Sequence, residues 1–122
     1  MKKALLISVI VLIVVLINAL SIRTYTIEGC SMYPLITPES KVICRTQNDY
    51  EVGDIIAYIS SLTNETVLHR ITARNGEYYV LKGDNNLRPD PEKVTKADIV
   101  CKAIRIIRNN KTEQKCKLKV IT

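Results

Sequence analysis

Three side chains of this sequence could together perform acyl transfer. Ser31 lies in the segment G-C-S-M-Y-P at residues 29–34, where a predicted strand ends at a glycine and a proline fixes the turn. Such a turn exposes the serine hydroxyl and directs backbone N–H groups toward one point, as a nucleophile beside an oxyanion hole requires. His69 is the only histidine, and it lies in the apolar segment V-L-H-R-I at residues 67–71, which favours a strand.

An aspartate would complete this set, and two are available. Asp84 lies in K-G-D-N-N at residues 82–86, and Asp90 follows it. A histidine would take the serine proton and pass it to the leaving amine, while the carboxylate fixes the imidazole tautomer. However, a lone histidine in a strand is more often structural, and an aspartate in a tight loop usually bonds its own backbone. The residues alone therefore leave the choice between the two aspartates open.

The first 22 residues differ in composition from the rest. Lys2 and Lys3 precede an uncharged run of 19 residues from position 4 to position 22. A helix of that length would span roughly 28 Å, which is close to the hydrocarbon thickness of a bilayer. A cleaved secretory signal is the alternative, but the run is long for one and the cleavage site before Leu20 is poor. The sequence thus predicts a transmembrane anchor over residues 1–22, with its N-terminus in the cytoplasm.

The remaining segment, residues 23–122, is predicted to be one extracytoplasmic antiparallel β domain, so the fold class is mainly β with one N-terminal transmembrane helix. Short apolar or alternating runs, rich in Ile, Val and Tyr, favour strands, and Asn75-Gly76 predicts a hairpin turn. The runs cover residues 24–28, 41–45, 54–59, 66–71, 78–82 and 99–106. Alternation over residues 115–120 predicts a lysine-rich edge strand.

The charge and the cysteines limit the function classes. Residues 23–122 hold 16 Lys and Arg against 12 Asp and Glu, and the basic tail could attract anionic lipid headgroups or be a solvated edge. The tail has no interleaved aromatic residues, so we expect no nucleic-acid binding. The cysteines have no C-x-x-C spacing, so their pattern does not indicate a zinc site. The pairing of Cys30, Cys44, Cys101 and Cys116 stays open, and Cys44 and Cys101 could be buried thiols.

Four motifs in order resemble the successive boxes of type I signal peptidases over about residues 1–107. They are G-x-S-M-Y-P at 29–34, V-G-D-I-I-A-Y at 52–58, H-R-I at 69–71 and K-G-D-N-N at 82–86. Each motif alone is weak, but the four follow the family's order and come after an N-terminal anchor. The resemblance implies a domain of the signal peptidase type.

The resemblance also implies roles for individual residues. Ser31 would be the nucleophile, and His69 stands where most bacterial members have a lysine base. This chain is therefore similar to the Ser-His branch found in the endoplasmic reticulum, archaea and sporulating bacteria. That branch implies Asp90 as the acidic partner, with Asp84 as a second, supporting candidate.

Further positions match or depart from the family pattern. Met32 belongs to the nucleophile motif and is a supporting residue. Gly29 stands where many members have a serine, so the oxyanion hole would rest on the backbone N–H of Ser31. Cys30 is expected to point away from the site and to pack as a side chain.

The expected function is a membrane-anchored serine endopeptidase that removes signal peptides from exported preproteins, without a cofactor or metal. Its partners would be signal peptides and the lipid bilayer, and the need for accessory membrane subunits stays open. Two other hypotheses are an inactive anchored domain that binds exported chains or a partner subunit, and a self-cleaving relative of the repressor type. The inactive domain is disfavoured because the candidate catalytic residues are all present, namely Ser31, His69, Asp84 and Asp90. The repressor-type relative is disfavoured by the histidine at the base position and by the predicted anchor.

Overall fold

A computed structural model describes residues 1–121. The fold begins with one long apolar helix. Helix α1 covers Lys2–Leu20, and none of its residues is buried. By length and composition it is able to cross a membrane. Apart from Lys2, Lys3, Ser8 and Asn18, its residues are apolar. The helix ends two residues before the predicted end of the anchor, and the first strand follows almost at once.

Seven strands make up the domain after this helix. Alternating or continuous runs of β-branched and aromatic residues form them, as such side chains suit a pleated surface. The strands are β1 Ile22–Thr26, β2 Lys41–Arg45, β3 Ile55–Ile59, β4 Thr66–Asn75, β5 Tyr78–Lys82, β6 Val94–Thr95 and β7 Ile99–Ile107. The six predicted strands all exist: the ends of 41–45 and 78–82 are as predicted, and the other four strands differ at one or both ends. The two-residue strand β6 was not predicted, because a segment that short carries no periodicity.

All seven strands join one antiparallel sheet in the order β1-β2-β7-β3-β4-β5-β6. The predicted hairpin at Asn75-Gly76 is confirmed, since it connects β4 to β5 and Gly76 has a φ of 65°. That backbone conformation favours glycine. Strand β3 lies at the middle of the sheet, between β7 and β4.

The core consists of two apolar clusters, and the central strand β3 contributes to both. Ile55 and Ala57 belong to the first cluster, whereas Ile56 and Tyr58 belong to the second. This division follows from the alternation of side chains along a strand.

The C-terminal segment corrects one prediction. Alternation predicted a strand over residues 115–120, but the segment belongs to helix α2, Glu113–Ile121. A 3₁₀ turn at Asn110–Thr112 precedes it, and the buried Thr112 hydroxyl donates to the Pro38 carbonyl. Glu113 in the first turn and its ion pair with Lys117, 3.4 Å away, suit a helix. Local contacts and tertiary anchoring thus outweigh the alternating pattern.

The cysteines form two disulfides, Cys44–Cys101 and Cys30–Cys116. The first joins β2 to β7 inside the apolar core, where both side chains are fully buried. The second joins the residue before Ser31 to helix α2. The pairing left open for Cys30 is therefore settled: its side chain does more than pack, because its sulfur is bonded to Cys116 of the C-terminal helix.

Candidate active site

Ser31, His69 and Asp90 form one continuous hydrogen-bonded chain. The Ser31 Oγ lies 3.1 Å from Nε2 of His69, and Nδ1 of the same ring lies 2.6 Å from Oδ2 of Asp90. An ionised carboxylate only accepts hydrogen bonds, so Nδ1 carries the proton and Nε2 presents its lone pair to the serine. The His69 and Asp90 side chains are only 10% and 11% exposed. The arrangement allows the imidazole to remove the serine proton.

Three different parts of the fold supply these side chains. His69 lies in β4 opposite Ile56 of β3, so a ladder fixed on the central strand holds its backbone. Ser31 lies in the connection from β1 to β2. Asp90 lies in the connection from β5 to β6, where its N–H donates to the Leu81 carbonyl at 2.7 Å. The strands thus hold the imidazole in place, and two loops bring the serine hydroxyl and the carboxylate to it.

The loop that contains K-G-D-N-N holds the backbone beside the nucleophile. The Asn85 N–H donates to the Ser31 carbonyl at 2.8 Å, and its side-chain amide donates to the Cys30 carbonyl at 3.1 Å. A Cβ at Gly83 would lie 2.6 Å from the backbone carbonyl oxygen of Ser31. The close approach of the two loops therefore requires glycine at position 83.

Met32 and Gly29, the supporting residues beside the nucleophile, have different surroundings. Met32 is 1% exposed, and its sulfur accepts the Asp84 N–H at 3.4 Å. It anchors the nucleophile turn in the first apolar cluster. Gly29 has open space where a Cβ would lie. Because residue 29 is glycine, it supplies no hydroxyl for an oxyanion hole. The open space beside it would accommodate a serine side chain.

Asp84 is not in contact with His69, since it binds Arg70 instead. Its two carboxylate oxygens each accept from the guanidinium at 2.9 Å, and the Arg70 Nη1 also donates to the Gly53 carbonyl at 2.8 Å. The hydrogen bonds that Arg70 donates to Asp84 hold the pKa of Asp84 below its usual value, and the same bonds raise the pKa of Arg70. The structure thus brings Asp90 to the imidazole and Asp84 to the neighbouring arginine.

Sequence analysis missed one polar contact in this chain of hydrogen bonds. The Tyr58 hydroxyl donates to Oδ2 of Asp90 at 2.8 Å, the same oxygen that His69 contacts. Burial, together with the hydrogen bond to Asp90, raises the pKa of Tyr58 far above its ordinary value. The motif V-G-D-I-I-A-Y contains this tyrosine, but only its register against His69 would have indicated the contact.

A groove runs beside the three side chains. It has a volume of about 280 Å³ and is lined mainly by residues 25–29 and 66–69, together with Ser31. Residues 66–69 pair with β3 on one side only, because the ladder with β5 begins at Arg70. Strand β1 pairs only with β2. Two strand edges with free backbone groups therefore border the groove, and an extended peptide could pair with them.

Among residues 1–121, no group of three or more His, Cys, Asp or Glu side chains is arranged to hold a metal ion.

These features define a class. A small antiparallel β domain carries a serine, an imidazole and a carboxylate in hydrogen-bond sequence beside a groove for an extended chain, which is the constellation of a serine peptidase. The family comparison agrees with this class. The chain belongs to the Peptidase S24-like family, whose model matches residues 11–107. That family covers repressor-type and signal-peptidase-type serine peptidases. No curated protein matches the chain.

Proposed function

We propose that this chain is a membrane-anchored serine endopeptidase that removes signal peptides from exported preproteins. One observation carries the proposal: His69 lies between Ser31, at 3.1 Å, and Asp90, at 2.6 Å. Membership in a family of serine peptidases supports a hydrolytic role. The similarity of the motifs to the Ser-His branch of type I signal peptidases favours signal peptides as substrates.

In the proposed reaction, Nε2 of His69 takes the proton from the Ser31 Oγ as that oxygen attacks the peptide carbonyl carbon. The carbonyl oxygen becomes an oxyanion, which the Ser31 backbone N–H would stabilise. The intermediate then collapses: the C–N bond breaks, His69 gives its proton to the leaving amine, and an acyl ester remains on Ser31. Water, deprotonated by the same imidazole, hydrolyses the ester and restores the serine. Asp90 keeps Nδ1 protonated throughout.

The groove supports an extended substrate. The edge of β1 that faces away from β2 and the unpaired side of residues 66–69 border the groove, and backbone pairing there would hold a peptide without strict sequence demands. The lining residue Ala57 is small and fully buried, and Leu68 beside it is apolar. A shallow apolar wall of this kind suits small side chains next to the scissile bond.

The helix and the disulfides support a location at the membrane surface outside the cytoplasm. Helix α1 ends at Leu20, so the ten residues to Ser31 limit its distance from the helix end to roughly 35 Å. A substrate held by its own apolar segment in the same bilayer would meet the groove at a high effective concentration. The pairs Cys30–Cys116 and Cys44–Cys101 fit an oxidising compartment, and Lys2 and Lys3 favour a cytoplasmic N-terminus.

The proposal is tested by cleavage of a preprotein with the full chain in liposomes or detergent. The wild type should release the mature protein, whereas Ser31→Ala should reduce the rate by roughly 10⁴-fold or more while the protein stays folded. The matched control is Ser21→Ala, because the Ser21 hydroxyl contacts the Asn18 carbonyl at the end of helix α1 and lies outside the groove. The control should cleave at the wild-type rate.

Three results would contradict the proposal. Full activity of Ser31→Ala would remove the nucleophile assignment. Cleavage of the chain itself in alkaline solution, with no cleavage of any preprotein, would indicate a self-cleaving relative of the repressor type. A folded wild type that binds preproteins but never cuts them would indicate the inactive binding domain.

A further inference from the structure

A tyrosine from the central strand contacts the carboxylate of the candidate triad. The Tyr58 side chain is 1% exposed, and its hydroxyl lies 2.8 Å from Oδ2 of Asp90. That oxygen also lies 2.6 Å from Nδ1 of His69. One carboxylate oxygen therefore receives two hydrogen bonds, one from the imidazole and one from the phenol.

The sheet register explains why these two donors converge. Tyr58 of β3 is opposite Val67 of β4, and Ile56 is opposite His69. Side chains two residues apart on a strand share a face, as do directly opposed residues. Tyr58 and His69 are therefore diagonal neighbours on one face of the sheet, and both reach the loop that carries Asp90.

A second carboxylate lies near the same phenol, but it has other donors. Oε1 of Glu92 is 3.4 Å from the Tyr58 hydroxyl, which is longer than the contact to Asp90. Glu92 accepts shorter hydrogen bonds from the Ser60 hydroxyl at 2.7 Å and from the Ser61 backbone N–H at 2.8 Å. A phenol has one proton to donate. The geometry therefore directs that proton to Asp90.

We propose that Tyr58 is a positioning residue that fixes Asp90 and shares its negative charge, and thereby sets the pH at which His69 titrates. The inference rests on the proposed serine-peptidase site, but it does not depend on which peptide is cut. Without the phenol, the imidazole would be the one remaining hydrogen-bond donor to Oδ2 of Asp90 among residues 1–121. The carboxylate could then turn more freely, and its full charge would act on His69.

The sign of the effect follows from this geometry. A carboxylate that shares its charge with a second donor stabilises the protonated imidazole less than one that does not. Removal of the phenol hydroxyl should therefore raise the midpoint of the His69 titration. The other charged or titratable groups around the ring are unchanged by that substitution: the Arg70–Asp84 ion pair, Lys82, Glu92 and, at the groove, Glu28.

The test is an NMR titration of His69, whose signals are unique because the chain has one histidine. The full chain in detergent micelles carries Ser31→Ala, so that no substrate is needed and no cleavage interferes. In this background, Tyr58→Phe should raise the titration midpoint by roughly half to one pH unit. Tyr79→Phe is the matched control. Tyr79 is buried in the same apolar cluster as Tyr58, but its hydroxyl lies near Asp49 and not near Asp90. The control should leave the midpoint unchanged.

Activity provides a second readout. With Ser31 intact, Tyr58→Phe should lower kcat roughly tenfold with little change in KM, because the loss affects the orientation of the base rather than substrate binding. If Tyr58→Phe does not fold, replacement of all tyrosines by 3-fluorotyrosine provides the opposite change. A fluorinated phenol donates more strongly, so the His69 midpoint should then fall.

An unchanged midpoint in Tyr58→Phe, or an equal shift in Tyr79→Phe, would overturn the inference. So would an unchanged midpoint in the fluorotyrosine protein. These results are independent of the proposed substrate: a protein that cleaves no preprotein can still show the Tyr58-dependent titration, and an active peptidase can lack it.

Discussion

The Asp84 carboxylate forms two parallel hydrogen bonds with the Arg70 guanidinium, each 2.9 Å long. Arg70 directly follows His69 in β4, and Asp84 lies six residues before Asp90. The two aspartates that the sequence offers as acid partners therefore contact adjacent residues of one strand. Asp84 holds the loop against the strand, while Asp90 reaches the imidazole.

The first prediction concerns this division between the two aspartates. Asp90→Asn should lower kcat by roughly a thousandfold or more, because an amide can impose the wrong imidazole tautomer. Asp84→Asn should cost less in kcat and more in stability, since it removes the ion pair that fixes the loop. The measurement is preprotein cleavage together with the melting temperature for both variants. A larger loss of kcat in Asp84→Asn would move the acidic role to Asp84.

The second prediction follows from the lowered pKa of Asp84. A carboxyl whose folded-state pKa lies below its unfolded value of about 3.9 stabilises the fold above that pH and loses the contribution as the pH falls further. The melting temperature of the wild type should therefore drop more steeply below about pH 4 than that of Asp84→Asn. Both partners are partly exposed, so the effect should be about 1 kcal/mol or less.

A matched control for this acid titration is Asp49→Asn. Asp49 is 68% exposed and lies 3.8 Å from Arg74 in a surface pair. Its replacement should leave the acid slope of the melting temperature close to that of the wild type. If Asp84→Asn and Asp49→Asn change the slope equally, the Arg70–Asp84 pair has no special part in acid stability.

The third prediction concerns the pH dependence of cleavage. His69 is the only histidine, and the proposed reaction needs its neutral form to accept the serine proton. The value of kcat/KM should therefore rise with pH through the range where histidines usually titrate, about 6 to 7, and then level off. His69→Ala should remove nearly all activity. A profile that is flat in this range would indicate a different base, such as a lysine.

The fourth prediction compares the two disulfides. Each closes a long loop, and by loop length each could contribute up to roughly 4 kcal/mol to stability. Cys30→Ser with Cys116→Ser should lower both stability and kcat, because Cys30 is bonded directly to the nucleophile residue. Cys44→Ala with Cys101→Ala should lower stability alone, since that pair joins β2 to β7 within the core.

These two double variants are compared by kcat at a temperature where both remain folded, and by thermal unfolding. A wild-type kcat in the Cys30 and Cys116 variant would show that the nucleophile loop keeps its geometry without the bond to helix α2. The other contacts of that loop, such as the 2.8 Å hydrogen bond from Asn85, would then be sufficient.

Local patterns made the strands and the hairpin predictable, because alternation and the Asn75-Gly76 turn are set by neighbouring residues. The helix at Glu113–Ile121 was not predictable in this way. Six alternating residues indicate a strand, but contacts distant in sequence, from Cys30 and Pro38, determine the outcome. A local pattern does not indicate the Cys30–Cys116 disulfide or the Thr112–Pro38 hydrogen bond, since these contacts form only when the chain has folded.

The candidate site divides in the same manner. The motifs indicated Ser31 and His69 by residue type and order, and similarity to a family favoured Asp90 over Asp84. The contact from Tyr58 to Asp90 depends on the β3–β4 register and on the path of a loop 32 residues later. Neither is encoded in a short motif. Sequence patterns therefore indicated the three side chains of the candidate site and did not indicate Tyr58, which contacts one of them.

The Cys30–Cys116 bond closes a covalent ring that contains Ser31, His69 and Asp90. A protease cut inside this ring, for example at Leu87, which is 99% exposed, would leave the fragments linked. A cut between helix α1 and Cys30 would instead release the whole ring from its helix in one piece. The position of this single bond thus determines that a cut within the ring leaves Ser31, His69 and Asp90 covalently linked, whereas one cleavage before Cys30 would separate all three from the apolar helix.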